Sequence, residues 1–412
     1  MQRINVGLVG CGRIMPAHLQ GYRILIEKGV DVRIKALVAR KEEDALRFRK
    51  RGEGPPPREP IGPPGDEYRA AHIWVDDFQK GIDVQIYTDY GKMIREADVD
   101  AVDVYTPPHT HHDIVLDSLT AGKHVFVEKP IAITVKSARI MIEAAKKARR
   151  VLGVSENLRY QPETRMTKWI IDQGYIGQIQ MIFNSTIGCY WSPDKIAALT
   201  PWRHVKYTAG GGPSIDWGVH IFDTARYYGG EIGDVAGVTS TFEGVRVTRD
   251  KSGRIIDKIH DEVDDTFVAI AKFKSGAVGQ FTFSWALHGE PTILGTIVYG
   301  SRGCVKDNLL ILDDGTKSSV KDIFDDKAKK DEKEKFFPLQ MTDPFALETF
   351  DFLGAIWGDR EMETSGKEGL RDLAAAYAVI ESSRREQAVK VEDVESGKIV
   401  GYEKEINAHY RI

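Results

Sequence analysis

In the first third of the chain, apolar residues come in brief unbroken runs. Arg3–Val9, Arg33–Ala39, Val84–Tyr87, Ala101–Tyr105, His124–Val127 and Val151–Ser155 have the texture of strands buried on both faces. Helical stretches lie between them: one follows Met15 to about Glu27, then come Tyr90–Glu96, Asp113–Ala121 and Val135–Arg149. Strands alternating with helices predict an α/β domain with a doubly wound parallel sheet. After about Glu156 the pattern changes to alternation. Asp265–Phe273 and Ala277–Trp285 flank Lys274-Ser275-Gly276, which predicts a hairpin with glycine in its turn. Gln178–Ile187, Val235–Arg249 and Thr292–Tyr299 are further strand candidates. Residues 157–412 are therefore expected to form an α+β domain with an open, largely antiparallel sheet and helices on one face, after a first domain over residues 1–156.

Two stretches interrupt these patterns. Gly52–Gly65 holds six of the 17 prolines, and proline removes an amide donor and fixes φ, so neither helix nor sheet interior is expected there. An extended insertion over about 51–66 is the prediction; a solvated spacer, a lid or a subunit contact would each fit it. Asp313–Lys335 is dense in Asp and Lys with few large apolar residues, which predicts a solvated excursion.

The 412 residues suggest two or three domains by length, enough for a sizeable core. Lys and Arg number 57 against 61 Asp and Glu, a net charge of −4, which argues against a nucleic-acid or polybasic membrane partner. No apolar run approaches the roughly 18 residues of a membrane span. Cys11, Cys189 and Cys304 are odd in number and at no metal spacing, so no disulfide framework is implied. The first strand begins near Arg3 without a leader-like stretch, so a cytoplasmic protein is expected.

Candidate chemistry sits where strands end. Gly10-Cys11-Gly12 follows the first strand and precedes a helix, the context in which backbone approaches a pyrophosphate and helix amides meet its charge. Met15 replaces the third glycine of that pattern, and read alone the turn equally fits a plain tight turn. The second strand ends in Val38-Ala39-Arg40-Lys41, with no carboxylate before Glu42. Two cations where an acid would accept from a ribose 2′-hydroxyl favour NADP over NAD. Two solvated residues, or Glu42 turning back to rescue NAD, are the alternatives.

Glu128-Lys129-Pro130 follows another strand, and a lysine there could donate to or polarise a substrate; in isolation a lysine after a strand is usually a surface cation. Asp216 and His220, four apart in Gly210–Asp223, would face the same way on a helix, where the carboxylate would orient an imidazole acid/base. A buried structural pair is the alternative. His109-Thr110-His111-His112-Asp113 lacks a recognised ligand spacing, and no metal is expected.

In order, these segments resemble the glucose–fructose oxidoreductase/inositol dehydrogenase/rhizopine-catabolism (Gfo/Idh/MocA) family. The resemblance rests on Gly7–Ile14, Thr106–His111, the more specific Ala121–Pro130, Gly210–Asp223, Gly174–Gly177 and Ser365–Leu370. It implies a Rossmann domain followed by an open-faced sheet domain through which members form homodimers or homotetramers. It implies cofactor contacts from Gly10, Gly12, Arg13, Ile14, Ala39, Arg40, Thr106, Pro107, His111, Glu128 and Lys129. It also implies that Lys129, Asp216 and His220 are catalytic, His220 moving the proton and Lys129 polarising the reacting oxygen, with the division between them open. Those three residues, with Arg159, Tyr160, Trp202 and Arg203, would border a sugar or polyol. The expected function is hydride transfer between nicotinamide, NADP preferred and NAD possible, and a hydroxyl or keto carbon of a sugar or cyclic polyol. Two rivals are a glycosidase that uses NAD for transient oxidation and a non-catalytic NADP-binding regulator.

Overall fold

A computed structural model describes residues 2–59, 70–188, 200–250, 252–290, 292–358 and 360–412. The first of its two units comprises Met1–Ile133, Ser137–Asn157 and Met341–Gly369; the second comprises Thr134–Lys136, Leu158–Gln340 and Leu370–Ile412.

In the first unit, β1 (Ile4–Val9), β2 (Val32–Val38), β3 (Gln85–Tyr87), β4 (Ala101–Val104), β5 (His124–Glu128) and β6 (Leu152–Ser155) form one sheet in the order 3-2-1-4-5-6. Every neighbouring pair is parallel. This is the doubly wound order, whose switch point lies between β1 and β4, where the carboxyl ends open into a crevice. The fully buried β4 and largely buried β1 account for the unbroken apolar runs. The helix Pro344–Gly358, although late in sequence, packs on the helix Met15–Glu27 within this unit. Of the proline-rich segment, Gly52–Glu59 is described and holds neither helix nor strand; Pro60, Pro63, Pro64 and Gly65 lie outside the described residues.

In the second unit, β7 (Ile179–Ile187), β8 (Ile232–Ser240), β9 (Val245–Arg249), β10 (Ile255–His260), β11 (Thr266–Phe273), β12 (Val278–Ser284) and β13 (Thr292–Gly300) are followed by β14 (Gly303–Lys306), β15 (Leu309–Leu312), β16 (Lys317–Ser319) and β17 (Val389–Lys390). All but β9 and β10 form a nine-stranded sheet in the order 16-15-14-13-7-12-11-8-17, antiparallel except for the β7/β12 pair. β11 and β12 are the predicted hairpin, in register from Thr266 opposite Ser284 to Lys272 opposite Val278.

Two segments differ from what the sequence predicts. Val235–Arg249 is not one strand: β8 ends at Ser240, and Asp265 Oδ2 accepts from the amides of Phe242 (2.8 Å) and Glu243 (2.7 Å), turning the chain into the separate β9/β10 pair. Asp313–Lys335 is not an unstructured excursion. It contains β16 and the helices Val320–Lys327 and Lys330–Phe336, which bury Val320, Phe324 and Phe336 and leave the charges on the outer face. Phe324 meets Trp169 edge-on at 5.3 Å, anchoring this segment on the helix Pro162–Asp172.

Candidate functional site

The glycine loop is built by what surrounds it. Gly10 has φ +109°, and a side chain there would put Cβ 2.8 Å from the Tyr105 carbonyl, so only glycine fits. Its amide donates to Val38 O at 2.9 Å, holding the loop against the end of β2. At Gly12 a Cβ would meet nothing within 4 Å, leaving room for a ligand over the backbone. Ile14 starts the helix Met15–Glu27 without a side-chain cap, and its first turn carries no acid, so its amides can meet an anion. Met15 is fully buried, turning the missing third glycine into core packing. Cys11 is buried too, and desolvation pushes its thiol up to about 12, too high for reactive chemistry. These features fit a dinucleotide. Gly10, Gly12, Arg13 and Ile14 would hold its phosphates, with Ala39 and Arg40 at its ribose. Ala39 N donates to Tyr87 O at 3.1 Å, and Arg40 is exposed.

At the ends of β4 and β5, two loops are tied together by His111. Its ring is fully buried, with Nε2 2.7 Å from Thr106 O and Nδ1 3.0 Å from Pro130 O. Burial pushes its pKa down while the two carbonyl contacts push it up, and the ring spans from Thr106-Pro107 to the Glu128-Lys129-Pro130 turn. Thr110 Oγ1 also lies 2.6 Å from Thr106 Oγ1 and 2.8 Å from Pro107 O, and its one proton serves one of the two at a time.

Beneath Lys129 lies a polar cluster that sequence reasoning missed. His18 Nε2 is 2.6 Å from Glu128 Oε1, and Glu128 Oε2 accepts from Lys129 N at 3.2 Å. Ser155 Oγ lies 3.3 Å from Glu128 and 2.7 Å from Glu348. The His18 ring stacks on Tyr105 at 4.0 Å, and the hydroxyls of Tyr105 and Tyr22 donate to Asp103 Oδ2 at 2.8 and 2.5 Å. The sequence signal was an Asp inside the otherwise apolar β4.

Burial pushes the Asp103 carboxyl from 3.8 up to about 6, partly offset by those tyrosine hydrogen bonds. The folded chain holds that proton more tightly than the unfolded chain, so this group's contribution to stability is lost as pH rises from 3.8 to about 6. Asp103→Asn removes the titration. Thermal unfolding across that window should show the variant losing less stability with rising pH than the parent; equal slopes would sink this reading.

In the second unit the Gly210–Gly212 turn is held by Asp264, another residue the sequence did not reveal. Its carboxylate accepts from Gly212 N (2.9 Å), Ser214 N (3.0 Å) and Ser214 Oγ (2.8 Å), and burial pushes it up to about 6. Asp216 and His220 do not share one helix as expected. The chain forms Pro213–Asp216, breaks at Trp217 and resumes as Gly218–Gly229. Trp217 itself stays in the right-handed helical region (φ −99°, ψ −29°) and packs on Phe283 at 5.1 Å and on the His220 ring at 5.3 Å.

Asp216 Oδ2 accepts from Arg203 Nε at 3.0 Å, and Arg203 lies 4.4 Å over the half-buried Trp202 ring. His220 is buried. Arg159 directs Nε and Nη2 onto Asp223 at 3.1 and 2.5 Å, a buried bidentate pair. Tyr160 is 1% exposed with the Arg165 guanidinium 5.1 Å from its ring, a position suited to bracing the fold. Thus Trp202, Arg203 and Asp216 form one cluster, Arg159 pairs with the far end of the same segment, and Lys129 belongs to the first unit. Among the described residues, no group of three His, Cys, Asp or Glu could hold a metal ion.

Residues 66–156 match the oxidoreductase family with an NAD-binding Rossmann fold, and residues 164–306 match the GFO/IDH/MocA C-terminal domain. The chain belongs to the Gfo/Idh/MocA family. Among its Gfo/Idh/MocA relatives, levoglucosan dehydrogenase of Pseudarthrobacter phenanthrenivorans is 26% identical over 96% of this chain and 100% of its own. Myo-inositol 2-dehydrogenase of Thermotoga maritima is 25% identical, covering 95% and 99%. 1,5-Anhydro-D-fructose reductase of Ensifer adhaerens is 29% identical over 74% of this chain and 84% of its own. The solved levoglucosan dehydrogenase complex with NADH and L-sorbose superposes with a TM-score of 0.72 at 23% identity, covering 95% and 99%, which shows the shared fold. As a Gfo/Idh/MocA member the chain is an NAD(P)-dependent oxidoreductase.

Proposed function

We propose that this protein oxidises or reduces a hydroxyl/keto carbon of a sugar or cyclic polyol, with NADP preferred over NAD. The observation that carries the reading is the cofactor cradle: Gly10 forced by Tyr105, open space over Gly12 and an uncapped helix start, in a 3-2-1-4-5-6 sheet. Relatives named as levoglucosan, inositol and anhydrofructose enzymes support the substrate class. Arg40, exposed at the end of β2 with no neighbouring carboxylate before Glu42, supports NADP.

When bound, the nicotinamide supplies or accepts the hydride. The protein's part is to place the carbinol and manage charge on its oxygen. In oxidation, Lys129 Nζ polarises the reacting oxygen and an imidazole nitrogen of His220 takes the hydroxyl proton; in reduction His220 returns it. Glu128 fixes the Lys129 backbone, itself held by His18. Asp216 and Arg203 border the substrate together with Trp202, whose ring and the guanidinium suit hydroxyl-rich faces.

Turnover of NADP⁺, NAD⁺ and their reduced forms against a panel of pyranoses, inositols and keto-sugars tests this. Substrate-dependent cofactor turnover with NADP ahead of NAD is expected. Net hydrolysis without cofactor turnover would instead mark a glycosidase, and cofactor binding without turnover across the panel a regulator.

The open sheet face supports self-association. Val238, Val268, Ile270 and Val278 share one face by register and are 63%, 45%, 60% and 38% exposed. We propose a second copy of the chain there, as a homodimer or within a homotetramer. Sedimentation velocity should give a larger species for the parent than for Ile270→Asp; equal sizes would remove this interface. No described helix is long and apolar enough to cross a membrane. Cys11 and Cys304 are free thiols, which suits the cytoplasm, while Cys189 lies outside the described residues.

A further inference from the structure

The proline-rich insertion delivers an arginine to the glycine loop. Arg58 Nη1 donates to Cys11 O at 2.8 Å, and Nη2 donates to Asp44 Oδ1, in the first turn of the helix Glu42–Arg49, at 2.6 Å. Cys11 itself abuts the end of β2, with Sγ 3.6 Å from Val38 O. The guanidinium therefore lies between the glycine loop and the β2-to-helix turn, where a doubly wound fold receives the adenosine ribose and reads its 2′ substituent. Beside it is a cavity of about 220 Å³ lined by Gly12, Arg13, Phe48, Arg58 and His72, with Glu59 as its one acidic residue.

We propose that Arg58 is a specificity-determining residue for a ribose 2′-phosphomonoester, so that the insertion takes part in selecting the phosphorylated dinucleotide. The inference rests on the NADP reading above and adds to it a residue outside the β2 terminus. Arg58 presents a planar fork that can hold two phosphate oxygens, and Arg13 lines the same cavity. Asp44 does not lose its only cation when Arg58 turns to a phosphate, because Arg47 Nη2 also lies 3.4 Å from Asp44 Oδ1. Arg47 is in turn tied to Pro56 O, so the insertion holds both arginines near one carboxylate. Burial first, and then the neighbouring Arg47 charge, lower the Arg58 pKa, and the Asp44 carboxylate works against both. The Phe48 ring stacks on His72 at 4.7 Å, giving the cavity a firm wall.

Calorimetric titration of the full chain with adenosine 5′-phosphate and adenosine 2′,5′-bisphosphate tests this without turnover. The parent should prefer the bisphosphate. Arg58→Ala should cut that preference roughly 10- to 100-fold while leaving adenosine 5′-phosphate binding intact, the loss expected for one charge-assisted contact. Arg58→Lys should recover part of it. If Arg40→Ala abolishes the preference while Arg58→Ala retains it, Arg58 has no such role and the NADP reading stands. If the parent shows no preference at all, the NADP reading itself fails, and this inference with it.

Discussion

Replacing Lys129 or His220 by alanine should slow single-turnover hydride transfer by about 10²–10⁴-fold, the usual worth of a positioned acid/base group. Lys129 stands immediately after β5, on a backbone fixed by Glu128, with the following Pro130 carbonyl tied to His111. This anchoring gives the lysine a defined origin, so deleting its amine removes a placed charge. His220 is buried against Trp217 in the first turn of its helix. Single-turnover conditions exclude product release from the measured rate. Retention of the parental rate in both variants would overturn the catalytic assignment.

Gly212→Ala should be the most damaging single-methyl change in the second unit. A Cβ there would stand 1.7 Å from the Asp264 carbonyl oxygen and 3.0 Å from its Oδ1. Both obstacles belong to the residue that holds the turn, so the clash is resolved only by moving the start of Pro213–Asp216. At least about 3 kcal/mol of destabilisation is expected, the upper end for overpacking. Thermal unfolding would show a fall of roughly 6–12 °C at that cost. Asp264→Asn keeps the shape but sets an amide group against the Ser214 amide, and should cost less. A parental melting temperature in Gly212→Ala would mean that the turn is not rigid.

The first unit was legible because burial on both faces leaves a plain mark: β1, β2, β4, β5 and β6 lie within the apolar runs that announced them, to within a residue or two at each end. The glycine loop was legible because its geometry needs glycine at position 10. What the sequence hid was set by distant partners. Asp265 breaks Val235–Arg249 by accepting two amides from a loop more than twenty residues earlier. Val320, Phe324 and Phe336 were too few among charges to look like a buried face, yet Val320 and Phe324 are four apart on one helix and Phe324 meets both Phe336 and Trp169 edge-on. The cluster of His18, Asp103, Glu128 and Glu348 joins segments up to 330 positions apart.

The proposed reaction is hydride transfer between substrate and nicotinamide. Its most direct test is to incubate the enzyme and NADP⁺ with a turned-over sugar or polyol deuterated at the reacting carbinol carbon, and then locate the label. Deuterium recovered at C4 of the reduced cofactor is the predicted result. Label that stays in the sugar, or washes into solvent while the cofactor is unchanged, would rule out hydride transfer to the nicotinamide.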